Sequence, residues 1–135
     1  MPEPLVLDTN IVLDVFVFND AAAASIRRGL ASGEIDWLAT EPMRDELARV
    51  LAYPQIVSRL AFYRLSAEDV LAAFDKHARR VEVAPKISLR CSDADDQKFI
   101  DLAVEHKALL LSKDKAVISM SKRLLVCGVR VHTAM

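Results

Sequence analysis

Short apolar runs, each closed by a polar or turn-forming residue, alternate along this chain with stretches whose apolar positions recur at helical spacing. Leu5-Val6-Leu7, closed by Asp8, reads as a strand buried on both faces, the pattern of a parallel sheet. Ile35 to Ala39 repeats it, and Leu109-Leu110-Leu111 is the clearest case. Shorter strands are expected at Val81 to Val83, stopped by Pro85, near Leu124 to Val126, and at Arg130 to His132. Ile11 to Phe18 satisfies either period. Ala21 to Leu30 is expected to be helical, with Gly33 as its stop. Thr40 caps a helix with Pro42 in its first turn, which runs to about Ala52 before Tyr53-Pro54 ends it. Another helix is expected from about Gln55 to Tyr63. Ser66, with Asp69 three residues on, has the form of a capping box for a helix through about Arg79. Ser92 or Asp93 caps one reaching about His106, and a short helix covers Lys115 to about Lys122.

Strands alternating with helices predict an α/β domain whose parallel sheet is covered on both faces. No repeat, low-complexity tract or linker interrupts the chain, so residues 1–135 read as one domain. A hydrophobic share of 53% and only 3 glycines fit a packed globule and argue against disorder. Cys91 and Cys127 lie far apart with no CxxC pair, which argues against a disulfide framework or a zinc site. The N-terminal residues lack a positive flank and apolar run, and no stretch approaches the ~20 apolar residues that span a bilayer. The expectation is a cytoplasmic protein with no membrane contact. Net charge is −1, from 18 basic and 19 acidic residues. That balance neither advertises nucleic-acid binding nor rules it out, since distribution matters more than the sum.

The acids carry the chemistry. In an open parallel sheet, ligands bind beyond the carboxyl ends of the strands. Asp8 directly follows Leu7, and Asp114 follows Leu111 after Ser112-Lys113. Either alone is explained as well by capping the next helix; two at equivalent positions on core strands point to a site. Asp96 lies three, four, seven and eight positions before Phe99, Ile100, Ala103 and Val104, so it shares their buried face. A carboxylate there must be paired or neutralised. Asp93 points the same way but is explained first as an N-cap, while Asp95 and Asp101 fall towards solvent. Glu46 flanks the stripe of Met43, Leu47, Val50 and Leu51, with Asp45 and Arg49 turned outwards. Converging carboxylates repel unless a cation joins them. Hard oxygen donors select Mg²⁺ or Mn²⁺, which activates water for phosphodiester attack without a side-chain base. His77, His106 and His132 fall at helix ends or near the C-terminus and are not needed as ligands.

Leu7-Asp8-Thr9-Asn10, Glu46-Leu47, Asp93-Ala94-Asp95-Asp96-Gln97-Lys98-Phe99-Ile100 and Leu111-Ser112-Lys113-Asp114 resemble, in order and over nearly the whole chain, the motifs of the PIN domain family. The likeness is greatest to bacterial members classed as toxins of toxin–antitoxin pairs. The resemblance implies a three-layer α/β/α sandwich with a parallel sheet of about five strands. It also implies Mg²⁺- or Mn²⁺-dependent cleavage of single-stranded RNA. Asp8, Glu46, Asp96 and Asp114 match the family's acidic quartet of metal ligands and catalytic groups. Asn10 matches the polar residue after the first acid, and Ser112 the hydroxyl beside the last. Lys115 and Ala116 stand where some members carry a further acid, and Lys113 and Lys115 are candidate phosphate contacts. A toxin implies an antitoxin that covers the pocket through an apolar groove and sends an Arg or Lys into the acids. Phe16, Phe18, Phe62 and Tyr63 are candidates for that contact, for a homodimer, or for ordinary core packing.

Three other readings compete. A haloacid-dehalogenase-type phosphatase needs a second Asp where Asn10 stands. A response-regulator receiver needs a Lys after the last strand and an Asp closing the third. A non-catalytic RNA-binding or scaffold module of the same fold would be marked by loss of an acid, and all four are present.

Overall fold

The computed structural model describes residues 2–135. Five strands, β1 (Glu3–Leu7), β2 (Ile35–Ala39), β3 (Arg79–Arg80), β4 (Leu109–Leu111) and β5 (Val131–His132), form one sheet in the order β3-β2-β1-β4-β5. Every neighbouring pair is parallel. The helices are α1 (Thr9–Phe16), α2 (Ala24–Ser32), α3 (Glu41–Leu51), α4 (Pro54–Phe62), α5 (Ala67–His77), α6 (Gln97–His106), α7 (Lys115–Ile118) and α8 (Ser121–Val126). Parallel neighbours require crossovers, and crossovers are right-handed. The chain steps one way from β1 through β2 to β3, and the other way from β4 to β5. The rule therefore places α1 to α5 on one face and α6 to α8 on the other, which makes a three-layer α/β/α sandwich. Burial agrees: Val6, Leu110 and Leu111 are fully covered, and Trp37, Leu38 and Ala39 are each 1% exposed although alternate residues face opposite sides.

Local chemistry sets the element ends. Gly33, at φ 79°, closes α2 in the left-handed region that glycine occupies without a Cβ penalty. Gly29 lets α2 approach β2 closely, since a Cβ there would sit 2.2 Å from Cδ1 of Ile35. The Ser66–Asp69 capping box forms in both directions, at 3.1 and 2.9 Å. Pro54 opens α4 at its first turn, where its missing N–H has no cost.

The structure settles one segment that the pattern left open and corrects the sequence reading at three places. Ile11 to Phe16 is helical, because α1 buries Ile11, Val12, Leu13 and Val15 at a helical period. Leu124 to Val126 is the end of α8 rather than a strand: Leu124 alone is buried, while Leu125 and Val126 are 60% and 89% exposed. The edge strand falls at Arg79–Arg80 rather than Val81 to Val83, and α5 stops at His77. Two arginines are held extended there because Arg79 pairs with Asp36 at 2.8 Å and Arg80 with Glu41 and Asp75 at 2.7 Å each. Asp101 is not solvated but 6% exposed: the irregular segment before α6 crosses it, and its Oδ1 accepts from the Ile87 N–H at 3.3 Å and from Gln97 Nε2 at 2.9 Å. Phe16 and Phe18 pack against the core, while Phe62 is 78% exposed. Among the described residues, no single helix is long and apolar enough to cross a membrane.

Candidate active site

Strand order reverses direction between β1 and β4, and the carboxyl ends of these two strands carry the first acids. Leu7 pairs with Leu111, and the Asp8 N–H extends the ladder to the Leu111 carbonyl at 3.0 Å. Ser112, fully buried one residue past β4, ties the two strand ends together. Its hydroxyl donates to Asp8 Oδ2 at 2.6 Å and accepts from the Asp114 N–H at 3.1 Å. Asp114 in turn accepts from the Ala116 N–H at 2.9 Å and caps α7. Each carboxylate is therefore aimed by the turn that carries it.

Asp96 arrives from the other side of the fold. A 3-10 turn, Ala94–Asp96, precedes α6 and delivers the side chain to a 6% exposed position at the helix start. Carboxylate oxygens of Asp8, Asp96 and Asp114 all lie within 4.8 Å of one another. Asp8 also opens α1, so the N-termini of α1, α6 and α7 all direct partial positive charge at the cluster. That is not enough to neutralise it. Burial first, then a proton shared with Asp114, then the charges of Asp8, Asp114 and Asp93, push the Asp96 pKa up to about 8. Burial also raises the Asp8 pKa, against the opposing hydrogen bond from Ser112. Oδ2 of Asp96 is buried and has no hydrogen-bond partner among the described residues. A buried, unpartnered carboxylate oxygen beside two more acids is an environment that a divalent cation would satisfy.

Glu46 lines the same cavity, of about 320 Å³, from α3. It stands outside the close triad because other partners hold it: the Thr9 hydroxyl donates to Oε2, and Lys98 Nζ meets Oε1 at 2.8 Å. Lys98 also donates to the Asp95 carbonyl at 2.5 Å, so α6 fixes the acid of α3. Asn10 is exposed on the cavity wall with Arg49 and Tyr53. Asp93 is exposed and caps the 3-10 turn through the Asp95 N–H at 3.0 Å. Lys113 pairs with Asp14 at 2.5 Å, and Lys115 is exposed in the first turn of α7. Sequence reasoning did not find Thr9, Lys98, Arg49 or Tyr53. Lys98 had a signal, three residues after Asp95 on a helix start, but its partner 52 residues away did not.

The donor set fits a hard divalent ion. Three carboxylates supply only oxygen, which suits Mg²⁺ or Mn²⁺ and not a thiolate-seeking metal. Cys91 and Cys127 are free thiols outside the cluster.

Solved structures similar to this chain include VapBC2 from Rickettsia felis, determined bound to a DNA fragment from their promoter, at TM-score 0.64 and 12% identity. The likeness covers 96% of this chain and 97% of that one, and it concerns the fold. No curated protein matches the chain. The family model described as PIN domain matches residues 4–116, from the first strand to the turn that carries Asp114. A match over that much of the sequence makes this chain a member of the PIN domain family.

Proposed function

We propose that the chain is a metal-dependent endoribonuclease that hydrolyses phosphodiester bonds of single-stranded RNA in the cytoplasm, as the toxin of a toxin–antitoxin pair. The observation that carries the reading is the meeting of Asp8, Asp96 and Asp114 within 4.8 Å, with a buried oxygen of Asp96 left without a partner. In this reading these three residues hold Mg²⁺ or Mn²⁺, which supplies Lewis-acid stabilisation of phosphate charge and a water of lowered pKa. Ser112 keeps Asp8 turned inwards and Asn10 borders the entry. Glu46, held by Thr9 and Lys98, completes the quartet on the side of α3. Lys113 and Lys115 stand beside Asp114 as phosphate contacts, Lys113 after release from Asp14. Asp93 fixes the turn that delivers Asp96.

An antitoxin partner is motivated by the VapBC2 assembly bound to promoter DNA, whose fold the chain shares. Tyr53, which lines the acidic cavity, is 48% exposed, and Val57 and Phe62 are 50% and 78% exposed further along α4. They suit an apolar segment that delivers a cationic side chain to the acids; a homodimer uses the same kind of surface. Cleavage of a single-stranded RNA with Mn²⁺, abolished by EDTA and by Asp8→Asn, is the expected result. Equal cutting by wild type and variant would mark the activity as a contaminant. Growth arrest on induction of this chain alone, relieved by its partner, tests the toxin assignment separately.

A further inference from the structure

A second cavity, of about 330 Å³, lies on the other side of the turn that carries Asp96. Ala94 lines it while Asp95 and Asp96 line the acidic cavity, so one 3-10 turn forms a wall of both. Lys98 also belongs to both sides: it lines the second cavity, and its ammonium bonds Glu46 in the first at 2.8 Å.

The lining is ordered by chemistry. Pro42, Val83, Ala84 and Ala94 give it flat apolar walls, and the buried carboxylate of Asp101 stands among them. Lys86 and Arg90 are exposed on its border and form no ion pair among the described residues. The border is built rather than loose. Gln97 donates to the Leu89 carbonyl at 2.9 Å and accepts from the Cys91 N–H at 2.7 Å, while Asp101 takes the Ile87 N–H at 3.3 Å. These bonds clamp residues 87–91 onto α6, although that segment has no regular structure.

We propose that this cavity is a nucleotide subsite. It takes the base of the nucleotide flanking the scissile phosphate, while Lys86 and Arg90 hold that nucleotide's phosphate. The inference rests on the single-stranded RNA reading above. The orientation follows from charge: an interior with Asp101 repels a phosphate but accepts hydrogen bonds from base N–H groups, while Lys86 and Arg90 line the exposed border, where a phosphate can meet them from solvent. Bases of single-stranded RNA are splayed and read in this way, one pocket to a base, with cations along the backbone.

The test uses the full chain with Mn²⁺ and short single-stranded RNA oligonucleotides, in which an abasic position is moved one nucleotide at a time. In wild type, one abasic position beside the cut should raise KM about tenfold, and the others little. The double variant K86E/R90E should raise KM with kcat unchanged. It should also flatten the dependence of log(kcat/KM) on log salt by about 0.7 for each phosphate that is no longer neutralised. Val83→Trp, at a 63% exposed position, fills the cavity and should make the sensitive abasic position silent. A photoreactive base at that position should crosslink to residues 83–94. Circular dichroism confirms that each variant is folded. If wild type cuts RNA but KM, salt slope and crosslinks ignore these residues, the subsite is overturned and the nuclease reading stands. If wild type cuts no RNA, both fall. Variants with unchanged RNA kinetics that lose a partner chain which wild type captures would make the cavity a protein dock, and would equally overturn the subsite.

Discussion

At Asp96, folding places a carboxyl where burial and neighbouring acids disfavour its charge, and stability should record that. Its pKa is ordinarily 3.8 and is pushed up to about 8 in the fold. The folded chain therefore holds a proton that the unfolded chain has released over this window. The stability from Asp96 is complete below the lower value and is lost as pH rises to the upper one. In EDTA, the melting temperature should fall between about pH 5 and pH 8. Asp96→Asn should flatten that decline, and Mn²⁺ should remove it in wild type. Asp36 and Asp75, whose pKa values are lowered by Arg79 and Arg44, act at more acid pH, whereas Asp8, raised by burial, adds to the decline, so the difference between wild type and Asp96→Asn carries the test. Parallel melting curves for wild type and Asp96→Asn would sink the account. Ser112 acts through another residue. Ser112→Ala removes the 2.6 Å bond that aims Asp8, and should weaken Mn²⁺ binding about 10–100-fold, the usual cost of losing an orienting partner. Calorimetric titration with the ion reads this directly.

At the scale of elements, two kinds of position separate stability from chemistry. Gly33 ends α2 on the edge of the fold remote from the acids, in a left-handed conformation. Gly33→Ala should cost about 1–2 kcal/mol in denaturant unfolding while Mn²⁺-dependent cleavage per folded molecule stays unchanged. A loss of activity without loss of stability would mean that α2 communicates with the site. The pair Lys98–Glu46 joins α6 to α3 across the site at 2.8 Å, with the two side chains only 23% and 15% exposed. Lys98→Met should leave Glu46 with only Thr9 to hold it. Cleavage should fall, while unfolding free energy changes by no more than about 1 kcal/mol, since partly exposed ion pairs contribute little. Kinetics beside chemical denaturation separate the two effects.

For the molecule as a whole, three clustered carboxylates destabilise the fold unless a cation joins them. Any ligand bound only by the native state stabilises it by mass action, about 2.7 kcal/mol at a hundredfold excess over Kd. For a chain of this length that is roughly 10 °C in Tm. Mn²⁺ should produce such a rise, EDTA should reverse it, and Asp114→Asn should abolish most of it. A Tm indifferent to Mn²⁺ at neutral pH would count against ion binding at the triad.

What the sequence determined by itself was local and periodic. Three-residue apolar runs marked β1 and β4, the cap and stop residues bounded most helices, and the acid after each core strand was visible because strand ends are fixed by pattern. Asp96 was legible through its spacing from Phe99 and Ile100. The tertiary structure alone decided distances. It drew Asp8, Asp96 and Asp114 together, yet assigned Glu46 to Thr9 and Lys98, because partners so far apart along the chain meet only through packing. It buried Asp101, whose spacing pointed to solvent, by laying an irregular segment over a second side of α6. It likewise made Leu124 to Val126 helical, because an apolar triplet carries no period of its own, and burial of Leu124 alone settled which form it takes.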